Sequence, residues 1–202
     1  MQIAVAGAGN IGATLGRLWQ QKGHAVTLTF TRDEAALAKT AAEIGARSAA
    51  PAEAARGAEA VLLAVPAAAA EAAVQALGPL DGKLLIDATN FSGTPGGQSG
   101  AEKIAVLAPG ARVVKAVNTV FAGQYPLAAA RPGRASMVIC GDDAAAKAAA
   151  ASLMADLGFE PIDAGELKVA SDIEAFARLV IGIAYQQKRG PFAYRFAPAD
   201  QL

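Results

Sequence analysis

Three glycines stand at fixed spacing near the start of the chain, in the hexapeptide GAGNIG that begins at Gly7. An apolar, strand-like run precedes the hexapeptide and a helix-like run follows it. In that frame Gly7 permits a tight turn, Gly9 lets the backbone approach a diphosphate, and Gly12 lets the helix pack closely on the strand. Asn10 and Ile11 then lie at the helix N-terminus, where free N–H groups and the helix dipole attract phosphate. The spacing therefore predicts a dinucleotide-binding site.

The end of the second apolar run bears on which dinucleotide would bind. NAD-specific sites usually hold an acidic residue about 20 residues after the glycines, where it bonds the ribose 2′-hydroxyl. Thr31 and Arg32 occupy that region here, and Asp33 and Glu34 follow them. A hydroxyl and a guanidinium would bind a 2′-phosphate through charge-assisted hydrogen bonds, whereas an acid would repel it. We expect NADPH, with the two acids capping the next helix. The alternative for Arg32 is a solvated surface side chain.

Few residues of this chain have the chemistry of an acid, a nucleophile or a metal ligand, and no catalytic residue is predicted. The single histidine, His24, is expected to be structural, so we predict no His–carboxylate pair for acid–base work and no metal site. Cys140 is expected to be a small buried hydrophobe within a strand. Lys115 could be proposed as an acid, yet it is more simply a charged residue within or at the edge of a strand. The pattern favours chemistry carried by cofactors that the protein positions.

Strand-like and helix-like segments alternate along the chain. Most strand-like runs are continuously apolar, which is typical of a parallel sheet covered on both faces. The candidate strands are Ile3–Ala6, Ala25–Thr29, Ala60–Val65, Lys83–Asp87, Arg112–Ala116, Ser136–Cys140 and Phe159–Asp163. Candidate helices include Ala67–Leu77 and Asp143–Leu157, and Glu166–Gln187 is predicted to be the longest. The alternation predicts a Rossmann-type, doubly wound α/β fold with a mostly parallel sheet and a small C-terminal helical extension.

We expect a dinucleotide-binding Rossmann domain over residues 1–165, followed by a C-terminal helix and tail over residues 166–202. The apolar stripe of Glu166–Gln187 is wider than a surface helix needs, so this helix packs either on its own sheet or on a partner subunit. The segment Phe91–Gly100 reads FSGTPGGQSG and is predicted to lack regular structure. It follows a strand end, where such folds bind ligands, and is either a lid or a disordered surface loop.

Composition excludes several classes of function. Hydrophobic residues make up 53% of the 202 residues and charged residues 18%, which is a globular rather than a disordered composition. Lys plus Arg and Asp plus Glu are 18 each, and a nucleic-acid partner usually needs a basic excess. One cysteine excludes an internal disulfide and favours a reducing compartment. With neither a signal peptide nor an apolar run long enough for a membrane span, a cytoplasmic protein is expected.

Five segments together resemble the NADP-dependent oxidoreductases of the coenzyme F420 family. They are GAGNIG, GHAVTLTFTRD from Gly23, LLIDATN ending at Asn90, VVKAVNTV over 113–120 and GFEPIDAGEL from Gly158. DATN and VKAVNTV are more specific than the glycine motif, and the five segments follow the family's order. The N-terminal part is also similar to the dinucleotide domain of pyrroline-5-carboxylate reductases and of metalloreductases.

The resemblance implies a Rossmann domain with a small C-terminal extension, usually dimeric, that binds NADPH and exchanges hydride with the deazaflavin F420. It also implies binding roles beyond the glycine motif. The 2′-phosphate would be held by Thr31 and Arg32. The path from adenine to nicotinamide would be lined by Ala64, Val65 and Pro66. The nicotinamide and second substrate would be bordered by Asn90, Asn118 and Thr119.

The chain departs from the family pattern at Phe30, at Phe91 and from Lys168 onward, near the expected substrate side. Three hypotheses therefore stay open for its function. The first is hydride transfer between NADP(H) and a deazaflavin or flavin-like acceptor. The second is NADPH-dependent reduction of a small imine, carbonyl or metal chelate. The third is a non-enzymatic protein that senses NADPH and signals to a partner.

Overall fold

A computed structural model describes residues 1–91, 97–133 and 135–201 of the chain. Within those ranges the chain forms eight strands: β1 Gln2–Ala6, β2 Ala25–Thr29, β3 Arg47–Ser48, β4 Ala60–Leu63, β5 Leu84–Asp87, β6 Arg112–Lys115, β7 Ser136–Gly141 and β8 Glu160–Asp163. They make one sheet in the order β3-β2-β1-β4-β5-β6-β7-β8. Every neighbouring pair is parallel except β6 with β7. The predicted Rossmann-type, mostly parallel sheet is confirmed.

Helices connect and cover these strands. The α-helices of the described ranges are α1 Asn10–Gln21, α2 Glu34–Ile44, α3 Pro51–Gly57, α4 Ala70–Leu77, α5 Gly100–Leu107, α6 Tyr125–Ala130, α7 Ala144–Asp156 and α8 Ala170–Ile181. Short 3-10 turns occupy Ala67–Ala69, Ala122–Gln124, Leu167–Val169 and Ala199–Gln201, and one π-helical turn spans Gly182–Gln186. None of the helices described here is both long and apolar enough to cross a bilayer.

Strands β1, β4, β5, β6 and β7 send alternate side chains into two apolar cores, one on each face of the sheet. In β1, Ile3 and Val5 enter one core and Ala4 and Ala6 enter the other. Continuous apolar runs are therefore needed, because a strand covered on both faces has no side that can be polar. Trp19 of α1 is fully buried in the first core, and its indole N–H donates to the Leu153 carbonyl of α7 at 3.1 Å. Helices on both faces thus cover the sheet, as a doubly wound fold requires.

The seven predicted strands are all present, with ends that differ from the predicted ones by at most two residues. The prediction missed β3, a two-residue edge strand whose Arg47 and Ser48 are both exposed. An exposed pair of this kind carries no apolar pattern, so periodicity cannot reveal it.

The C-terminal helical segment differs from the prediction in regularity. A helical path does run from Leu167 to Gln186, but its regular α-helical part, α8, has 12 residues. The longest described helix is α7, with 13 residues. Gly182 follows α8 directly, and its low helix propensity favours the change to a wider turn. There the Gln187 N–H donates to the Gly182 carbonyl at 3.2 Å, across one residue more than in an α-helix.

The segment Phe91–Gly100 was predicted to be irregular. Half of it, residues 92–96, lies outside the described residues, and so does the predicted lid. Its last residue is not irregular, because Gly100 begins α5. Ser99 and Glu102 form a capping box there: the Glu102 N–H donates to Ser99 Oγ at 3.1 Å, and the Ser99 N–H donates to the Glu102 carboxylate at 2.7 Å. The Ser-x-x-Glu spacing was a signal for this helix start.

The C-terminal helix and tail pack against the same sheet. Ile173 lies in the second apolar core. The Tyr194 carbonyl accepts from the Ser136 N–H at 2.9 Å, and the Phe196 N–H donates to Ser136 Oγ at 2.9 Å. The rings of Phe176 and Tyr194 pack edge to face with centroids 4.9 Å apart. The extension therefore reaches the first residue of β7, at the same end of the sheet as the loop that follows β6.

Candidate functional site

The parallel strands β1, β2, β4, β5 and β6 end together at one edge of the sheet, here called the carboxyl edge. Their last residues are Ala6, Thr29, Leu63, Asp87 and Lys115. Open α/β folds bind their ligands outside this edge, where the strand order reverses. The reversal lies between β1 and β4, because the chain proceeds outward from β1 through β2 to β3 and then returns to β4.

The glycine turn follows β1 at this point. Gly7 has a φ of +102°, and its N–H donates to the Thr29 carbonyl at 2.9 Å. A Cβ on Gly7 would lie 2.3 Å from the Ala64 carbonyl oxygen, and a Cβ on Gly12 would lie 1.9 Å from the Gly7 carbonyl oxygen. Any side chain at either position would collide with backbone. These two glycines therefore have the turn and packing roles predicted from their spacing.

Gly9 is different, because it adjoins open space. It is the N-cap residue of α1, its φ of −73° suits any residue, and a Cβ placed there would meet nothing within 4 Å. No side chain caps α1, and no acidic residue lies in its first turn. The first N–H groups of a helix lack partners within the helix. Free donors beside empty space at a positive helix end fit a diphosphate.

The turn after β2 lies beside the glycine turn, since Ala6 and Thr29 are paired in the parallel register. Thr31 and Arg32 are both exposed there. Asp33 caps α2 by accepting the Ala36 N–H at 2.9 Å. The capping prediction is confirmed for Asp33. Its carboxylate is thereby directed at a helix end, and a guanidinium remains at the surface of the turn.

A cavity of about 320 Å³ runs along the carboxyl edge from the glycine turn to the end of β5, and it is called the first cavity. It brings together predicted residues from three separate parts of the chain. They are Gly9, Asn10, Ile11, Ala64, Val65, Pro66 and Asn90, joined by Ala67 and Ala88. Thr31 instead lines a neighbouring cavity of about 610 Å³ with Phe30 and Ser48.

A second cavity, also of about 320 Å³, continues from the first. The two share Asn10, Ile11 and Asn90. The further lining residues come from the loop after β6 and from the C-terminal helical path; they are Asn118, Thr119, Val120, Phe121, Ala122, Ala177, Val180, Ile181 and Tyr185. None of the described residues that line it carries a formal charge at neutral pH. One wall is aromatic, because the rings of Phe121 and Tyr185 pack edge to face at 5.4 Å.

The predicted asparagine and threonine residues meet between these cavities. The Asn118 amide donates to Asn90 Oδ1 at 3.4 Å, and within the described residues Asn118 Oδ1 is buried without a hydrogen-bond partner. The backbone bends sharply just before, where Val117 has a φ of +73°. The Thr119 hydroxyl hydrogen-bonds the Tyr194 hydroxyl, whose pKa is raised by burial. Asn90, Asn118 and Thr119 are thus brought to one place, as predicted.

A buried ionic cluster beneath this edge was not predicted. Lys115 is fully buried, with its ammonium 2.9 Å from an Asp87 carboxylate oxygen and 3.2 Å from a Glu174 carboxylate oxygen. Lys115 is therefore not simply a charged residue at a strand edge, because it is the shared cation of two buried ion pairs. Two signals were available: Lys115 and Asp87 each end an apolar strand, and Glu174 interrupts an apolar helical stripe. A charged residue in such a position is almost never buried unless it is paired.

His24 and Cys140 lie away from the two cavities. His24 lies before β2, at the opposite edge of the sheet, and its Nε2 is 2.9 Å from the Asp156 carboxylate. This His–carboxylate contact lies far from the carboxyl edge, in agreement with the structural role predicted for His24. Sequence could not show it because 132 residues separate the partners. Cys140 is buried, and burial raises the pKa of its thiol to about 12, so it is the inert hydrophobe that was expected. Within the described ranges no three His, Cys, Asp or Glu side chains group as metal ligands would.

Comparison with known proteins identifies the family. The family described as "NADP oxidoreductase coenzyme F420-dependent" matches residues 2–91. A crystal structure from Arthrobacter sp. FB24, provisionally assigned as an F420-dependent NADP-reductase, is 32% identical with a TM-score of 0.85, and the match covers 98% of this chain and all of that one. A hypothetical protein from Sinorhizobium meliloti is 29% identical with a TM-score of 0.72, over 85% of this chain and 87% of its own.

Two further proteins match this chain over only part of their own length. The metalloreductase STEAP3 of Rattus norvegicus is 37% identical over 99 residues, which are 48% of this chain and 20% of that protein. This chain thus spans about a fifth of that relative's length. A reductive aminase from Aspergillus terreus, solved with NADPH and ethyl levulinate, is 22% identical with a TM-score of 0.70, over 90% of this chain and 60% of its own, which shows a shared fold. The full-length match at 32% identity and the family match over β1 to β5 agree. The chain belongs to the coenzyme F420-dependent family of NADP oxidoreductases, and it is an NADP-dependent oxidoreductase.

Proposed function

We propose that this protein transfers hydride between NADP(H) in the first cavity and a deazaflavin (F420) or flavin-like acceptor in the second. The observation that carries the proposal is that the two cavities adjoin and share Asn10, Ile11 and Asn90. A nicotinamide ring that reached these shared residues would present one side to the second cavity. The bound nicotinamide supplies the hydride, and the chain supplies the position of both partners.

The cofactor would lie across the carboxyl edge in a fixed direction. The N–H groups at the start of α1 would receive the diphosphate, since Gly9 leaves open space there. Thr31 and Arg32 would receive the 2′-phosphate at the neighbouring turn. Residues 64–66 would line the middle of the path, and Asn90 with Asn118 would border the nicotinamide. This arrangement favours NADPH over NADH, because Thr31 and Arg32 would meet a phosphate that NADH lacks.

The uncharged second cavity favours an acceptor that needs little acid–base help. Among the described residues lining it, only Tyr185 has an ionisable side chain, and this residue is 63% exposed. Reduction of an imine or a carbonyl benefits from a positioned proton donor. A deazaflavin or flavin takes hydride with its own ring system, and the aromatic pair Phe121 and Tyr185 offers a surface for a planar ring.

The same proposal includes a homodimer in the cytoplasm, with residues 1–165 as the dinucleotide-binding domain and residues 166–202 as the extension. The extension carries one wall of the second cavity, including Ala177 and Val180. Both the dimer and the location stay predictions, supported by the family resemblance and by the single cysteine.

The test is a panel of acceptors. Purified protein is incubated with NADPH and, separately, with F420, FMN, a small cyclic imine or a ferric chelate, while NADPH oxidation is followed. We expect rapid turnover of F420, with FMN second. If only the imine or only the chelate is reduced, that class of compound replaces F420 as the proposed acceptor. If NADPH binds but no acceptor oxidises it, the sensing hypothesis is favoured.

A pair of variants locates the acceptor. Ala122→Trp fills the second cavity, whereas Ala130→Trp adds the same ring at an exposed position of α6. We expect the first variant to lose acceptor turnover while it keeps NADPH binding, and the second to behave as wild type. Unchanged turnover by Ala122→Trp would place the acceptor elsewhere.

A further inference from the structure

The buried cluster beneath the carboxyl edge joins three separate elements. Lys115, the last residue of β6, contacts Asp87 at the end of β5 and Glu174 in the second turn of α8, at 2.9 and 3.2 Å. Its ammonium also donates to the Thr89 carbonyl at 2.6 Å. The side chains of Lys115, Asp87 and Glu174 are at most 2% exposed. A charged group so well buried is retained only where its partners satisfy it.

The cluster also holds the backbone on both sides of the Gly-rich segment. Asp87 accepts hydrogen bonds from the Thr89 N–H at 2.9 Å and from the Thr89 hydroxyl at 2.6 Å. Glu174 accepts the Gly100 N–H at 2.9 Å. Thr89 immediately precedes Asn90, which lines both cavities, and Gly100 begins α5. The position of Asn90 is therefore tied through Lys115 to a glutamate on the C-terminal helix.

Glu174 lies directly before the part of α8 that lines the second cavity. Ala177 and Val180 follow it by three and six residues, so all three lie close to one face of the helix. A shift of Glu174 would move this wall relative to Asn90. At their formal charges the three side chains carry one positive and two negative charges, so the cluster has one carboxylate more than a neutral ion pair. An amide at position 174 would leave one ion pair, Lys115 with Asp87.

The geometry points to Glu174 as a positioning residue that sets the distance between the nicotinamide end of the cofactor site and the wall of the acceptor cavity. It touches neither ligand and acts through Lys115, Thr89 and Asn90 on one side and through α8 on the other. The adenine end, at Thr31 and Arg32, has no contact with the cluster in the described structure. The assignment of the two ends rests on the proposed function.

The test separates the two ends of the cofactor. Glu174→Gln is compared with Asp172→Asn, which removes a carboxylate from an exposed position of the same helix. Binding of NADPH is measured beside binding of adenosine 2′,5′-bisphosphate, which lacks the nicotinamide. We expect Glu174→Gln to weaken NADPH binding about tenfold, the scale of one lost charged hydrogen bond. The affinity of Glu174→Gln for the bisphosphate should stay within about twofold of the wild-type affinity. Asp172→Asn should bind both ligands within the same range.

A second variant protects the test against loss of folding. Thr89→Val keeps the shape of the side chain and removes the hydroxyl that donates to Asp87. It should shift NADPH binding in the same direction by a smaller factor. Equal weakening of both ligands, in either variant, would show a merely structural role, and unchanged NADPH binding in both would overturn the inference. Neither measurement uses an acceptor, so failure of wild-type protein to reduce F420 would reject the proposed acceptor alone.

Discussion

At the residue scale, the three glycines of the first turn have different physical reasons to be glycine. Gly12 and Gly7 are excluded from bearing side chains by their own backbone surroundings. Gly9 is not, because it has an ordinary φ and open space around it. Its missing side chain matters only if something else occupies that space. Gly9 is thus the position where ligand binding can be separated from folding.

We therefore expect Gly9→Ala and Gly12→Ala to fail differently. Gly9→Ala should lower the free energy of unfolding by less than about 1 kcal/mol, because it alters only the N-cap of α1. Its NADPH affinity should fall tenfold or more, which corresponds to about 1.4 kcal/mol. Gly12→Ala should destabilise the fold by about 1–3 kcal/mol, as expected for overpacking. Thermal unfolding and NADPH titration measure both. Tight NADPH binding by folded Gly9→Ala would contradict the diphosphate position.

Arg32 lies exposed in the turn after β2. If its guanidinium binds the 2′-phosphate, Arg32→Ala should weaken NADPH binding about 10- to 100-fold, the range of one charged hydrogen bond. NADH binding should hardly change, because NADH has no 2′-phosphate. Arg47→Ala is the matched control, since Arg47 is an exposed arginine of β3 that lines a different cavity from Thr31. Equal loss of NADPH and NADH binding in Arg32→Ala would assign Arg32 another role.

At the element scale, the last strand is attached to its helix by an ion pair with a clear pH signature. Lys147 of α7 lies 2.9 Å from a carboxylate oxygen of Asp163, which ends β8, and this hydrogen bond lowers the pKa of Asp163. A carboxylate with a lowered pKa in the folded state stabilises the fold above its unfolded pKa. That contribution is lost as the pH falls through the folded pKa.

Asp163→Asn should therefore destabilise the protein at neutral pH and have a smaller effect near about pH 3. The loss should stay below about 1 kcal/mol, because the Asp163 side chain is 53% exposed and solvent screens the pair. Urea unfolding at several pH values measures it. Glu166→Gln is the comparison, since Glu166 pairs with Lys168 near the same loop at higher exposure. A constant effect of Asp163→Asn at all pH values would exclude the ion pair as its cause.

The elements that could be predicted from the sequence are those with a local pattern of apolar residues or glycines. Apolar runs revealed seven strands, and the glycine spacing revealed the start of α1. The cluster of Lys115 with Glu174 remained hidden, because its partners are 59 positions apart in the chain and a charged residue reads as a surface residue until the fold places it. The two exposed residues of β3 carried no periodic signal. The adjoining cavities likewise depend on α8 returning to the carboxyl edge, which no local pattern specifies.

At the scale of the whole molecule, the candidate site lies at one edge of the sheet. The cavities, the glycine turn and the ionic cluster lie at the carboxyl edge. The contact of His24 with Asp156 lies at the other edge, beside the N-terminal amino group, which is 3.2 Å from His24 Nδ1. The C-terminal extension lines the second cavity at the carboxyl edge with Ala177 and Val180, whereas the glycine turn and the turn after β2 belong to the first strands.

The outer face of that extension is apolar and exposed. Leu179 is 58% exposed and Ile183 is 37% exposed, and residues four positions apart lie on the same face of a helical path. Tyr185, at the mouth of the second cavity, is also exposed. In the predicted homodimer this face would pack against the partner subunit, since an exposed apolar helix face is typical of an interface.

We expect wild-type protein to sediment as a dimer at micromolar concentration and Leu179→Glu to sediment as a monomer, because a buried unpaired carboxylate at an interface is costly. Val106→Glu is the control: Val106 is an even more exposed apolar residue, at 72%, on α5. Because the same helical path lines the second cavity, the proposed acceptor site, monomeric Leu179→Glu should also show a raised KM for the acceptor and unchanged NADPH binding. A wild-type monomer, or a Leu179→Glu dimer, would show that this face is free in solution and that the cavity is complete within one chain.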